Sequence, residues 1–322
     1  MNKNILTIAT GKKLYVDLAI NLARSFSYWN PRSPISFFIV TDSEHYLPKD
    51  VTSFAKIISV EKDEVGKGFT PKLYLDQLAP SGQTLFIDSD CLVYGNLLPI
   101  FEKFKNHSVS VIGNYIAKGE WFGNIEKICQ KYNVPHLPKF NGGIYYLEAG
   151  DITTKVYTKA RELEKIYDEI GFVRLRDRPN DEVLMALAME IYEQKPIIED
   201  GTIMAEFVNF QSGVSSDLLN GKVILYNTPG HKQYQKSWFL DKAEPLIVHY
   251  LGHHNRLHPY IKEAKIMGFL ANGYSKTTSK LLTFFSISMP YKIKLFLINT
   301  LRPIYRLLFG YRMVEKSERI ID

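Results

Sequence analysis

The sequence predicts an α/β protein with a mostly parallel sheet flanked by helices and a basic, amphipathic helical extension at its C-terminal end. Three observations predict it. Short β-rich apolar runs alternate with helix-period segments through the first half of the chain. Hydrophobic residues make up 45% and charged residues 23% of 322 residues, the balance of a globular protein. The texture changes near Tyr260, beyond which acidic residues almost vanish.

The elements follow in order. Ile5 to Thr10 reads as a buried strand, and Leu14 to Tyr28 places Leu14, Leu18, Leu22 and Phe26 on one helical face. Ile35 to Thr41 and Ala55 to Val60 are β-rich runs, and Pro71 to Leu78 is a short helix. Thr84 to Ile87 is a further buried strand that runs straight into Asp88-Ser89-Asp90. Val109 to Ile112 and Ile144 to Leu147 read as strands, and Asp151 to Ile170 and Asp181 to Tyr192 as helices. Ligands bind beyond the carboxyl ends of strands in such sheets, which puts Thr10, Asp42 and Asp88 to Asp90 on one rim. Residues 1–260 are expected to form the body and 261–322 the tail, in which Pro290 and Pro303 would divide the chain into short helices.

Charge is unevenly placed. Lys plus Arg number 40 and Asp plus Glu 34, a net of +6. From Lys262 onward there are eleven basic and four acidic residues, so the tail carries +7 and the body −1. A nucleic-acid binder would show a basic body, so nucleic acid is not an expected partner. A basic tail with Phe284, Phe285, Tyr291, Phe296, Tyr305, Phe309 and Tyr311 suits an anionic membrane surface, or a solvated face packed on the body. No uninterrupted apolar run reaches 18 residues, so no spanning helix is expected. No signal-peptide pattern opens the sequence, and the two cysteines, Cys91 and Cys129, form no disulfide framework or zinc spacing. The expected location is cytoplasmic, peripheral at the membrane face.

Two carboxylates on alternate residues at a buried strand end must be solvated, capped or bound to a cation. Asp88 and Asp90 therefore serve either as turn carboxylates or as ligands for a hard divalent ion, Mn²⁺ or Mg²⁺. His249, closing the run Leu246-Ile247-Val248, is either a core histidine or a third ligand. Gly142-Gly143 suits a tight turn or a close backbone approach to a ligand. Asp181 and Glu182 suit the positive end of a helix, and equally a site that accepts hydrogen bonds.

Thr84-Leu85-Phe86-Ile87-Asp88-Ser89-Asp90-Cys91-Leu92-Val93 resembles the Asp-x-Asp segment of GT-A-type glycosyltransferases, especially the family 8 group of glycogenin and bacterial lipopolysaccharide sugar transferases. Ile8-Ala9-Thr10, Phe37 to Asp42, Phe140-Asn141-Gly142-Gly143-Ile144, Asn180 to Leu184 and His249-Tyr250-Leu251-Gly252 resemble further segments in the same order, over about residues 4–258. The resemblance implies that Asp88, Asp90 and His249 hold the metal. It implies a nucleotide-sugar site built from Ala9, Thr10, Tyr15, Asp42, Lys72, Asn141, Gly142, Gly143, Gly252 and Arg256. Asp181, Glu182 and Lys72 are the implied catalytic residues. Glu182 stands where many members carry Gln, and would act as a nucleophile or stabilise an oxocarbenium-like transition state.

The implied activity is transfer of a hexose or N-acetylhexosamine from a nucleotide sugar, with UDP as carrier, to a glycan or lipid-linked acceptor with retention of configuration. The sequence departs from the pattern after the late histidine. Asn255 occupies the usual Lys position, so Arg256, His253 or His254 would take the phosphate contact. A sugar nucleotidyltransferase or a non-catalytic membrane-associated adaptor are the rival readings; Gly11-Lys12-Lys13 is a faint echo of the loop the first would need.

Overall fold

The computed structural model describes residues 1–61, 64, 66 and 68–311. The expected tail runs past them, and its part at 312–322 lies outside the described residues.

Every residue of the strand Gln83–Ile87 is buried, because it lies in the middle of a six-stranded sheet with helices on both faces. Lys3–Ile8 pairs with it in parallel, followed outward by Ile35–Thr41 and Lys56–Ser59, also parallel. On its other side Ile144–Glu148 and then Val109–Ser110 pair antiparallel. The sheet is thus parallel-rich rather than uniformly parallel. Alternation splits the central strand between two cores. Phe86 faces a cluster with Tyr145, Leu147 and the helices Asp151–Lys165 and Asp181–Ile191. Leu85 and Ile87 face a second cluster with the helix Lys13–Trp29, through Val16, Ala19, Ala23 and Phe26.

A smaller sheet makes the decisive long-range connection. Cys91–Val93 pairs antiparallel with Ile247–His249, which in turn pairs in parallel with Met204–Glu206. His249 thereby lies opposite Cys91 and beside Glu206. A third core, with Tyr94, Phe207, Tyr250 and Tyr260, backs this sheet.

Several expected elements differ in detail. Val109 to Ile112 is two strands in two sheets, Val109–Ser110 and Ile112–Ile116, because the chain leaves the central sheet at Val111. The helix expected over Asp151 to Ile170 is interrupted at Ile166, with Tyr167–Ile170 as a separate turn. The 260/261 boundary falls inside the helix His258–Ala271, whose Tyr260, Glu263, Ile266 and Met267 are buried against the body.

The expected division of the tail at its prolines does not occur. Lys276–Thr283, a π-helical turn Phe284–Ser288 and Met289–Phe309 form one continuous 34-residue helix. The wide turn comes just before Pro290, where it gives the pyrrolidine ring room. Pro303 lies within an exposed helix, where the carbonyl it leaves unpaired, that of Asn299, faces outward rather than into a core. Contrary to the expectation of no such segment, this helix is long and apolar enough to cross a membrane by length and composition, with a mean hydropathy of 1.4 over an 18-residue stretch.

Candidate active site

The carboxyl ends of Lys3–Ile8, Ile35–Thr41 and Gln83–Ile87 share one rim, and the sheet order reverses between the first and the last of these. Asp88 begins the loop beyond the central strand. Its backbone N–H donates to Gly143 O at 2.9 Å, which ties the Asp88-Ser89-Asp90 turn to the Gly142-Gly143 turn. The Asp90 carbonyl accepts from Tyr250 N at 3.0 Å, which fixes the same turn to the His249 strand.

The two aspartates face different cations. Lys72, on the short helical turn Thr70–Tyr74, donates to Asp88 Oδ2 at 2.7 Å and to Gly142 O at 2.8 Å. Asp90 Oδ1 lies 3.0 Å from His249 Nε2, and Asp88 Oδ2 lies 3.9 Å from the same nitrogen. The three expected metal ligands are therefore gathered around one imidazole nitrogen. Among the described residues, ligand atoms of Asp90, Cys91 and His249 all lie within 4.8 Å of one another, a group that does not include Asp88. Burial, then Asp90 and Asp88, push the Cys91 thiol well above its ordinary value, so it is protonated in the metal-free protein.

Glycine is required beside the histidine. A Cβ on Gly143 would stand 2.6 Å from His249 Nδ1, and one on Gly142 would stand 2.9 Å from Asp181 Oδ2. Gly143 N–H donates to Asn141 Oδ1 at 3.0 Å, so the expected sugar-binding segment is a closed turn against the metal-ligand cluster.

Asp181 and Glu182 open the buried helix Asp181–Ile191, with Asn180 as its cap; the Asn180 Oδ1 accepts from Glu182 N at 2.8 Å. Glu182 Oε1 accepts from Gly142 N at 2.9 Å, and Tyr145 OH donates to Asp181 Oδ2 at 2.5 Å. The Asn-Asp-Glu segment thus meets the Gly-Gly turn directly.

Electrostatics follow from this crowding. Burial, then Asp181 and Glu206, push the Glu182 carboxyl up to about 8. Burial likewise raises Asp181 and Glu206. Burial by itself would lower Lys72, but Asp88, Asp181 and Glu182 outweigh it and hold the ammonium above its ordinary value. Burial also opposes the charge on His249, and Asp90, Asp88 and Glu206 overcome it, so its pKa is raised. Asp90 is lowered: its burial opposes ionisation, but His249 and then Lys72 prevail. Five carboxyl groups thus crowd one lysine and one histidine. An oxygen-rich site with one imidazole suits Mn²⁺ or Mg²⁺. The residues fit such an ion: Asp88, Asp90 and His249 Nε2 converge, and the raised carboxyls mark a place where added positive charge is favourable.

The remaining expected residues sit at the rim. Ala9 N donates to Val40 O at 2.8 Å, and Thr41 Oγ1 donates to Ala9 O at 2.8 Å. Asp42 Oδ2 accepts from Gly11 N at 2.9 Å, so it pins the loop that carries Thr10. Tyr15 is exposed in the first turn of Lys13–Trp29. Gly252, at φ +65°, opens the turn Gly252–Arg256, where Arg256 is exposed. Among the described residues the Arg256 side chain has no hydrogen-bond or ion-pair partner. Asn255, in the position the resemblance reserves for Lys, is buried with its Oδ1 unpaired. His254 is buried and donates from Nδ1 to Leu251 O at 2.9 Å, while His253 is exposed.

Sequence reasoning missed Tyr145, Glu206 and Cys91. Tyr145 lies two residues beyond Gly143, on the strand Ile144–Glu148 that leaves the glycine turn, so alternation along that strand could have placed it on the site's side. Glu206 has no local signal; only the pairing of Met204–Glu206 with Ile247–His249 brings it in.

No family model matches the sequence. No curated protein matches it either. Solved structures do. The galactosyltransferase LgtC, in complex with donor and acceptor sugar analogues, superposes with a TM-score of 0.52 at 13% identity, over 84% of this chain and 96% of that one. The apo form of the glycosyltransferase GlyE of Streptococcus pneumoniae TIGR4 does so with a TM-score of 0.52 at 13% identity, over 87% of this chain and 64% of that one. The structural neighbours are GT-A glycosyltransferases, and the fold of this chain is the GT-A fold.

Proposed function

We propose that the chain is a metal-dependent glycosyltransferase that moves a hexose or N-acetylhexosamine from a UDP-sugar to a glycan or lipid-linked acceptor, with retention of configuration. The observation that carries this is the approach of His249 Nε2 to Asp90 Oδ1 at 3.0 Å and Asp88 Oδ2 at 3.9 Å, at the carboxyl rim of a GT-A fold. The LgtC neighbour was solved with donor and acceptor sugar analogues, which supports a sugar donor and a sugar acceptor here.

Asp88, Asp90 and His249 would hold Mn²⁺ or Mg²⁺. Such an ion supplies a Lewis acid for the departing diphosphate. The chain's own residues do the rest. Lys72 holds the Asp88 carboxylate and the Gly142 carbonyl in one arrangement, which fixes the sugar pocket relative to the ligand cluster. The absence of Cβ atoms at Gly142 and Gly143 lets Asp181 and His249 pack directly against the turn, which holds them at the pocket. Asp181, oriented by Tyr145, accepts hydrogen bonds from sugar hydroxyls. Glu182, oriented by Gly142 N–H, lies at the same turn and takes the place beside the reacting carbon. Arg256 is the available cation for the diphosphate beyond His249.

The test is a panel of nucleotide sugars with and without Mn²⁺, read by thermal shift and by release of the nucleoside diphosphate. One uridine donor should stabilise the protein and turn over only with metal, and Asp90→Asn and His249→Ala should lose both effects. Release of pyrophosphate from a nucleoside triphosphate and a sugar 1-phosphate would instead make the chain a nucleotidyltransferase. Silence toward every donor, with the fold intact, would make it an adaptor.

A further inference from the structure

The long helix Lys276–Phe309 carries more exposed apolar surface than a water-facing helix should. No residue of Met289–Phe309 is buried, yet Ile293 is 47%, Leu297 48%, Leu301 54%, Ile304 54% and Leu308 68% exposed. Contiguous apolar surface on this scale marks a binding face. All its cations but Lys294 gather on one side. At 100° per residue, Lys292, Asn299, Arg302 and Arg306 fall in one narrow arc, and Ile293, Leu297, Leu301, Ile304 and Leu308 lie opposite. No Asp or Glu occurs between Glu263 and Glu315, so the arc presents unopposed positive charge.

Length and composition would allow the helix to cross a bilayer. Its attachment argues otherwise. The His258 ring stacks on Tyr291 with centroids 4.4 Å apart and planes 10° apart, and His258 Nε2 lies 3.1 Å from Ser288 Oγ. The body therefore holds the helix as far as Tyr291. Only 292–309 projects, about 27 Å at ~1.5 Å per residue. That segment contains Lys292, Lys294, Arg302 and Arg306, cations that a bilayer core would not accept at that density. An arrangement parallel to the surface satisfies both faces at once.

We propose that 292–309 lies in the plane of an anionic phospholipid surface, with Ile293, Leu297, Leu301, Ile304 and Leu308 among the acyl chains and Lys292, Arg302 and Arg306 at the phosphates. Lys294, on the apolar side, reaches the headgroups along its own stem. His258 begins the helix that directly follows the Gly252–Arg256 turn, so the same contact sets the position of the rim relative to the surface. The inference does not depend on what the rim catalyses.

The test uses the full chain and vesicles of phosphatidylcholine with or without phosphatidylglycerol. The protein should float with the anionic vesicles and be released by high salt. Changing Lys292, Arg302 and Arg306 together to Gln should lower the partition on the order of a hundredfold, about fivefold for each cation. Leu297→Asp with Leu301→Asp should abolish binding while leaving the unfolding temperature unchanged, because neither side chain is buried. Nitroxide labels at Leu297→Cys, Asn299→Cys, Leu301→Cys and Arg302→Cys should alternate in depth with the helical period. Depth that changes steadily along the chain would show a spanning helix and overturn the proposal. Equal binding to both vesicle types, or burial of the labels without lipid together with dimer formation, would overturn it as well.

Discussion

Glu182 offers the sharpest handle on the site. Its carboxyl is pushed from 4.5 to about 8 by burial and by Asp181. The folded protein therefore binds a proton there that the unfolded chain releases between those two values. Stability contributed by that proton is complete below about pH 4.5 and is lost as pH rises toward 8. At about 1.36 kcal/mol per pH unit, the loss is on the order of 5 kcal/mol above pH 8. Glu182→Gln keeps an oxygen to accept from Gly142 N–H at the position of the 2.9 Å bond but cannot ionise. The variant should match the wild type near pH 5 and exceed it increasingly above pH 6, by several degrees in Tm at pH 8. The assay is thermal unfolding in the presence of a chelator, across pH 5 to 8.5, on both proteins. Parallel curves over that range would refute the reasoning, since Glu182 would then be ionised at neutral pH in the folded state.

Three further outcomes are expected. Lys72→Met removes the cation paired with Asp88 at 2.7 Å and should cost roughly 3–5 kcal/mol at pH 7; denaturant titrations of both proteins check it. Gly143→Ala should displace the His249 ring, since its Cβ would meet Nδ1 at 2.6 Å, and lower Mn²⁺ affinity about 10- to 100-fold by calorimetry without unfolding the protein. Mn²⁺ affinity should fall as pH drops below the raised His249 value, because the metal must displace the proton shared with Asp90, and proton release on binding should be measurable in buffers of different ionisation enthalpy.

The structure also explains where the sequence was readable. Asp88 and Asp90 follow an apolar strand, and that local pattern suffices to place carboxylates at a sheet rim. Asn180-Asp181-Glu182 before an apolar helix is likewise local, since a cap and two acids at the positive helix end need no distant partner. The tail was misread because Pro290 and Pro303 interrupt helices on average, whereas here a π-turn and an exposed position accommodate them. The crossing potential was missed for a related reason: Lys292 and Lys294 break the uninterrupted run, yet the window around them stays apolar in the mean.

Sequence alone thus determined the alternation of strands and helices, the carboxylates at the rim, the glycine turn and the charge imbalance between body and tail. Each of these depends on residues within a few positions of one another. Only the tertiary structure decided that His249 reaches Asp90, that Glu206 and Cys91 flank it, and that Lys72 clamps Asp88 to the glycine turn. Those contacts arise from strand pairing between distant segments, where a shift of one residue would turn His249 to the opposite face of the sheet.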